Sequence, residues 1–412
     1  MVSARRASPE VMSGRYPRNN GTRDHHQVVS SIELLSVCFH STLSFPLVKA
    51  RDAHFFALQQ DIEAKQADGT YQLLGSGDFS LQPLGMRGKS DGTYRSEPHN
   101  MNALDADAIR GNWATLLLAW NEDESLDLHR VGEAIDRMIS FGVDGIYSCG
   151  TAGEFHTLTE PEFDAVSTLL ATRCEQAHVP FQIGVSHMSA QLSRERLKRV
   201  VALAPSAVQV ILPDWYPVTL EEAIAFLHGM AESAPGIGLV LYNPPHAKRV
   251  LSPEEIGVLS RSVPSLVGVK TAGGDEVWYE AMRKHIEHLS VFVPGHRLAT
   301  GVGEGASGAY SNAACLHPGA AQAWYRQMQT DLDGALEVES RLCEFIVGHI
   351  VPFITEGGYC PGACDRLLAG IGGWADVGYR MRWPYRAIPE HEVERLRPIA
   401  QSLIPEFVTP SP

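Results

Sequence analysis

From Asn112 onward, short apolar runs alternate with longer stretches in which apolar residues recur at helical spacing. The runs cover 114–120, 145–149, 180–185, 207–212, 237–242, 266–270, 290–293 and 308–311. Amphipathic stretches over 126–141, 160–176, 192–203, 221–233, 254–261 and 276–288 lie between them, with a shorter one near Ala299. Brief continuous apolar runs suit strands buried on both faces, and their alternation with helices predicts βα units and a parallel sheet. Leu220-Glu221-Glu222 and Ser252-Pro253-Glu254-Glu255 put acids and proline at helix starts, where capping and the helix dipole favour them.

Eight such units within about 210 residues predict an α/β fold of the (β/α)8 TIM-barrel type, with its active site on loops at the C-terminal ends of the strands. The alternative is a doubly wound open sheet, which places a glycine-rich phosphate turn after its first strand; Trp120-Asn121-Glu122-Asp123 is not one. Beyond Gly319 the pattern turns helical, over 320–347, 363–368 and 390–403, which predicts a C-terminal helical appendage. The expected organisation is an N-terminal extension over 1–108, a catalytic barrel over 109–325 and a helical region over 326–412.

The first hundred residues read differently. They hold 11 Lys and Arg against 10 Asp and Glu, a balance of +1, whereas the remaining chain has a balance of -15 within a total of -14. Asn19-Asn20-Gly21, Gly75-Ser76-Gly77 and Gly88-Lys89-Ser90-Asp91-Gly92 are turn and breaker signals, and a helix over 50–66 would have nothing to pack on. This extension is expected to be poorly ordered, or to precede the natural start, with Met101 just ahead of the first regular region. Five arginines among the first 30 residues resemble a transit peptide, but Glu10 and Asp24 weaken that reading.

With 44% hydrophobic and 20% charged residues, the 412-residue chain reads as globular. Its negative charge argues against nucleic acid or an anionic membrane as partner, and no segment reaches the apolar length of a membrane span. The seven cysteines are scattered and odd in number, as expected of reduced thiols in a cytoplasmic protein. Cys360 and Cys364 lack a second ligand pair, so no metal site is expected there.

The strand ends carry the chemistry. Strand six, Leu-Val-Gly-Val-Lys, ends on Lys270, a charge that is costly to bury unpaired. Tyr242 ends the preceding strand, so barrel geometry can aim both side chains into one cavity. A lysine among apolar walls loses stabilisation of its charge, and its amine can then form a Schiff base. A neighbouring phenol can move protons. Gly150-Thr151-Ala152-Gly153 after strand two offers backbone N–H groups and a hydroxyl, a pattern suited to a carboxylate. Glu154, just beyond that turn, is expected to brace a helix rather than to act as an acid.

GVDGIYSCGTAGE (142–154), YNPP (242–245), GVK (268–270) and GASGAYSNAACLHP (305–318) occur in the order and spacing of the dihydrodipicolinate synthase / N-acetylneuraminate lyase superfamily of class I aldolases, which the chain resembles from Asn112 to Pro405. The resemblance implies Lys270 as the Schiff-base residue for pyruvate or a related 2-oxo acid, and Tyr242 as proton shuttle. It implies Thr151 and Ala152 as the carboxylate cradle, and the carbonyl of Tyr310 as a main-chain contact to the lysine. It also implies a homo-oligomer, a dimer or tetramer, and no cofactor. Departures argue against lysine biosynthesis: Ala152 replaces a second hydroxyl residue, and Ala247 stands where the synthases carry an arginine for the second substrate's carboxylate. Pro213-Asp214-Trp215-Tyr216 replaces their TPYY, and Ala119-Trp120 their first-strand Thr-Pro.

Two other classes stay open at this point. His156, His187, His246 and His296 all follow strands and could together hold a divalent metal, as a metal-dependent barrel enzyme requires. No Asp/Glu-rich ligand set accompanies them, so no metal is expected. Instead His246 and His296 are expected to line the substrate pocket and meet polar groups of a second substrate, such as an aldehyde. A non-catalytic 2-oxo acid sensor is the third class.

Overall fold

The computed structural model describes residues 103–408. Most of the extension, including the helix expected over 50–66, lies outside the described residues; its last residues, 103–108, are ordered, with Leu104 N donating to Ser206 O at 2.8 Å and its side chain packed on the inner core. Eight parallel strands, each hydrogen-bonded to the next, close into a barrel: β1 (Gly111–Thr115), β2 (Gly145–Ser148), β3 (Phe181–Gly184), β4 (Ala207–Val210), β5 (Leu239–Tyr242), β6 (Leu266–Lys270), β7 (Ser290–Phe292) and β8 (Gly308–Ser311). The helices that follow the first seven strands are α1 (Leu128–Ser140), α2 (Glu160–Ala177), α3 (Ala190–Val200), α4 (Leu220–Ser233), α5 (Pro253–Ser262), α6 (Glu276–His285) and α7 (Leu298–Gly303).

Local chemistry sets the ends of these elements. Thr159, Thr219 and Ser252 each form a capping box with the glutamate three residues on, which satisfies orphan N–H groups at the starts of α2, α4 and α5. Strand one begins earlier than the apolar run over 114–120 and ends at Thr115. Asn112, Trp113 and Thr115 pair in the ladders to β8 and β2, whereas Leu116 to Trp120 stay buried without joining the sheet as regular strand. Because every residue from Trp113 to Trp120 is buried, periodicity could not mark where pairing stops.

Two apolar cores result. A large one lies between sheet and helices; a smaller one fills the barrel with Ile109, Trp113, Tyr147, Ala207, Val240, Phe292 and Tyr310. Rings inside a closed barrel need space from small neighbours. A Cβ on Gly145 would stand 2.6 Å from the Trp113 indole, so only glycine fits there.

After β8 the chain continues through α8 (Asn312–Leu316), α9 (Pro318–Met328), α10 (Leu332–Phe345), α11 (Val351–Thr355), α12 (Pro361–Gly372) and α13 (His391–Leu403). The helical stretch over 320–347 is thus two helices. Asp331 breaks it by accepting from Gly334 N at 3.0 Å and starting α10 anew. α12 packs on α8, where Gly372 lies against the Leu316 carbonyl, and its first turn reaches the C-terminal mouth of the barrel. No described helix is long and apolar enough to cross a membrane.

Candidate active site

Tyr242 and Lys270 are register partners at the ends of β5 and β6. Asn243 fixes the turn that follows the tyrosine. Its backbone N–H donates to the Lys270 carbonyl at 2.9 Å, its side-chain amide donates to Arg249 O at 2.9 Å, and its Oδ1 accepts from Leu251 N at 2.7 Å. One buried amide therefore closes the 243–251 loop and holds the two strand ends together.

Lys270 Nζ sits among three phenol rings. It donates to Tyr147 Oη at 3.0 Å and stands 4.2 Å from the centroid of the Tyr242 ring, with the Tyr310 centroid at 5.4 Å. These ring faces give the part-buried amine cation–π contacts on several sides. Burial pushes the phenols of Tyr147 and Tyr310 well above their ordinary pKa, so both keep their protons at neutral pH. Tyr310 Oη donates to Gln182 Oε1 at 2.7 Å, and its ring stacks on Phe292 and meets Tyr147 edge-on. Tyr310 is thereby locked inside the barrel near the lysine.

Tyr147 is a site residue that sequence reading missed. Its signal was present: it lies in β2 opposite Thr115 of β1, at the inward-facing position three residues before the glycine turn. Gly150 serves it, since a Cβ there would fall 2.5 Å from the Tyr147 ring. Thr115, opposite Tyr147 in the β1–β2 ladder, Cys315 and Asp365 are the polar groups that lie next to it, near enough for each to perturb its neighbour's titration. Asp365 comes from α12, one turn after Pro361, so the two share a helix face at the barrel mouth. Burial raises its carboxyl to about 6, and Lys270, the Cys315 thiol and Arg366 hold it back from rising further. No motif could announce Asp365, because its proximity to Lys270 depends on how α12 docks.

Glu154 braces the appendage rather than its own helix. It is fully buried in a left-handed conformation, with φ 49°, and pairs with Arg366 of α12. Trp120 Nε1 and the backbone N–H of Arg382 also donate to it, at 3.0 and 3.3 Å. The Thr151 turn is thereby tied to the C-terminal helices on one side and to β2 on the other.

Thr151 and Tyr242 line a cavity of about 370 Å³, with Lys270 Nζ 4.2 Å from the centroid of the Tyr242 ring. Its walls include Phe155, His156, Pro213, His246 and Tyr385. Ala152 is buried behind the turn. The four histidines do not converge. His156 and His246 line the cavity, while His187 Nδ1 accepts from Ser189 N at 2.9 Å. His296 is not among the lining residues; its ring pairs with Asn312 at 2.9 Å, its carbonyl accepts from Cys343, and burial lowers its pKa to about 4. Among the described residues, no group of three or more His, Cys, Asp or Glu is arranged to hold a metal ion.

Comparison with known proteins identifies the family and the fold. The profile of the Dihydrodipicolinate synthetase family matches residues 108–361. The N-acetylneuraminate lyase of Rhizobium meliloti is 24% identical over 296 residues, covering 70% of this chain and 93% of that protein. The trans-O-hydroxybenzylidenepyruvate hydratase-aldolase of Pseudomonas aeruginosa is 25% identical over 178 residues, covering 41% of this chain and 53% of that one. In fold, the chain superposes on YagE of E. coli K12, a dihydrodipicolinic acid synthase family protein solved with pyruvate, with a TM-score of 0.64 at 20% identity over 72% of this chain and 98% of that one. With the barrel closed, the lysine and tyrosine paired at neighbouring strand ends and the family profile spanning strand one to the start of α12, this chain belongs to the Dihydrodipicolinate synthetase family, whose members are lyases.

Proposed function

We propose that the protein is a Schiff-base-forming lyase acting on pyruvate or a related 2-oxo acid, and that its role is not the lysine-biosynthetic one. The observation that carries this reading is the placement of the Lys270 amine, 3.0 Å from Tyr147 Oη and 4.2 Å from the ring of Tyr242, which itself lines the cavity.

In this reading the free amine of Lys270 adds to the C2 carbonyl, and the carbonyl oxygen takes up a proton to become a hydroxyl. Loss of that hydroxyl as water leaves an iminium, and loss of a C3 proton turns it into an enamine. Tyr242 shuttles these protons, and Tyr147 orients the amine. The turn at Thr151 and Ala152 receives the substrate carboxylate on its N–H groups, and the Tyr310 carbonyl contacts the lysine. The enamine then adds to an aldehyde, or is formed instead by retro-aldol cleavage of a longer 2-oxo acid imine that releases an aldehyde, or expels a hydroxyl as water. Ala247, which stands where the synthases carry their arginine while nearby Arg249 is bound to Val218 O and Glu255, and Ala152, which leaves one fewer hydroxyl, support a role other than lysine biosynthesis. We read the enzyme as a cytoplasmic homo-oligomer, a dimer or tetramer, for which Trp215 and Tyr216, 74% and 81% exposed, offer interface surface.

Borohydride added with pyruvate tests the reading. An irreversible mass increase on the peptide containing Lys270 is expected. A protein that turns over 2-oxo acids with no adduct at Lys270 would refute it.

A further inference from the structure

The cavity has two ends. Thr151 and Tyr242 stand at the lysine end, where the 2-oxo acid is bound in the reading above. Beyond Tyr242 the space continues between β4–α4 and β5–α5 loop residues and the C-terminal segment, and it is this outer chamber that must hold whatever joins or leaves the enamine.

Its walls are apolar: Phe155, Leu212, Pro213, Pro244, Pro361 and Tyr385. Phe155, His156 and Tyr385 form a row of edge-to-face rings, with centroids 5.4 and 4.9 Å apart. Such a row offers both π faces and edges to a flat guest. The volume of about 370 Å³ is ample for one small molecule.

The charges in these walls are already engaged. Arg249 is the sole permanent cation among the lining residues, and its terminal nitrogens donate to Val218 O at 2.9 Å and Glu255 Oε1 at 2.7 Å. Its Nε is buried and is the one guanidinium nitrogen without a partner among the described residues, so most of the group is spent on the loop and the adjacent helix. Asp214 Oδ1 accepts from Lys248 N at 2.9 Å, and both halves of the Asn243 amide close the loop. His156 and His246 remain. Burial depresses both imidazoles below their ordinary pKa; for His246, Asp214 opposes this and Lys270 adds to it. They are neutral at pH 7, each with one donor and one acceptor.

We infer that the outer chamber takes a neutral, flat, largely apolar carbonyl partner, an aromatic or conjugated aldehyde, with His156 and His246 bonding its carbonyl or a ring hydroxyl. A carboxylate-bearing aldehyde would be stripped of water with no free cation to meet it. A polyhydroxylated aldehyde would leave hydroxyls unpaired against proline and phenyl walls. This inference rests on Lys270 being the imine-forming amine only for its catalytic consequence; the selectivity of the chamber stands on its lining.

The test separates the two. With the full chain, calorimetry measures binding of three unreactive alcohols: benzyl alcohol, 4-hydroxybutyrate and glycerol. In parallel, kcat/KM is measured with pyruvate and the corresponding aldehydes: benzaldehyde, succinic semialdehyde and glyceraldehyde. The aromatic member is expected to lead by tenfold or more in both series, and Tyr385→Ala to reduce that lead at least tenfold. Equal or better binding of 4-hydroxybutyrate or glycerol, or a lead untouched by Tyr385→Ala, overturns the inference. Borohydride trapping with pyruvate alone reads the amine; if it fails, the order of alcohol binding still decides the nature of the chamber.

Discussion

Lys270 Nζ donates to Tyr147 Oη at 3.0 Å, so the hydroxyl bonded to the amine comes from strand two rather than from the strand-five tyrosine that is its register partner. The amine is fixed from two directions. Tyr242 supplies a ring face at 4.2 Å and Tyr147 a hydroxyl, which gives the two phenols separable tasks.

Lys270→Ala is expected to abolish both pyruvate trapping and turnover while circular dichroism stays that of the parent. Appreciable turnover in this variant would overturn the assignment. Tyr242→Phe should slow turnover by about 10²–10⁴-fold, the range for lost general acid–base help. Tyr147→Phe removes only an orienting hydrogen bond, worth about 1 kcal/mol, so a loss of about five- to tenfold in trapping rate is expected. Single-turnover trapping of the two variants distinguishes the roles.

Gly150→Ala should reproduce the Tyr147 defect without touching that residue. The added methyl would lie 2.5 Å from the Tyr147 ring and displace it from the lysine. Slower trapping with an unchanged tyrosine inventory is the expected result; a variant that traps at the parental rate would show the ring is free to yield.

Asp365 makes stability depend on pH. Its carboxyl titrates at about 6 in the fold against an ordinary 3.8, because burial disfavours its charge. Between these values the native state holds a proton that the unfolded chain has released, so stability is greatest below pH 4 for this group and falls as pH rises toward 6. The loss amounts to about 2–3 kcal/mol. Asp365→Asn should flatten this slope, measured as the urea midpoint from pH 4 to 7. Lys270, Arg366 and the Cys315 thiol are the groups that face it, and the same titration should appear as an inflection near pH 6 in the trapping rate.

Glu154→Ala leaves Arg366 charged, buried and unpaired. A cost of about 3–5 kcal/mol is expected, read as a shift in the denaturation midpoint. Arg366→Met should cost less if Glu154 takes up a proton, which a midpoint that improves in acid would reveal.

The sequence made the barrel legible because each βα unit repeats the same apolar rhythm, and it made Lys270, Tyr242 and Thr151 legible because they close strands inside short motifs. Tyr147 was within reach of the same reasoning, as an inward residue of a strand already identified. Asp365, Arg366 and Tyr385 were not. They reach the site through packing of α12 and the segment after it, and nothing local in CPGACDRLL distinguishes a residue that faces a lysine from one that faces a core. His296 illustrates the reverse: its position after β7 suggested the pocket, while the Asn312 side chain holds its ring elsewhere.

The bond between Glu154 and Arg366 has a consequence for how such an enzyme can change. Lys270 is carried by the barrel, whereas Cys360, Pro361 and Tyr385 of the cavity wall come from a late segment clasped to the barrel at a buried ion pair. Part of the wall can thus vary apart from the strand that carries the lysine. Grafting the 360–386 segment from a relative, with Asp365 and the acid–arginine clasp preserved, offers a way to exchange part of the wall while keeping the surroundings of Lys270.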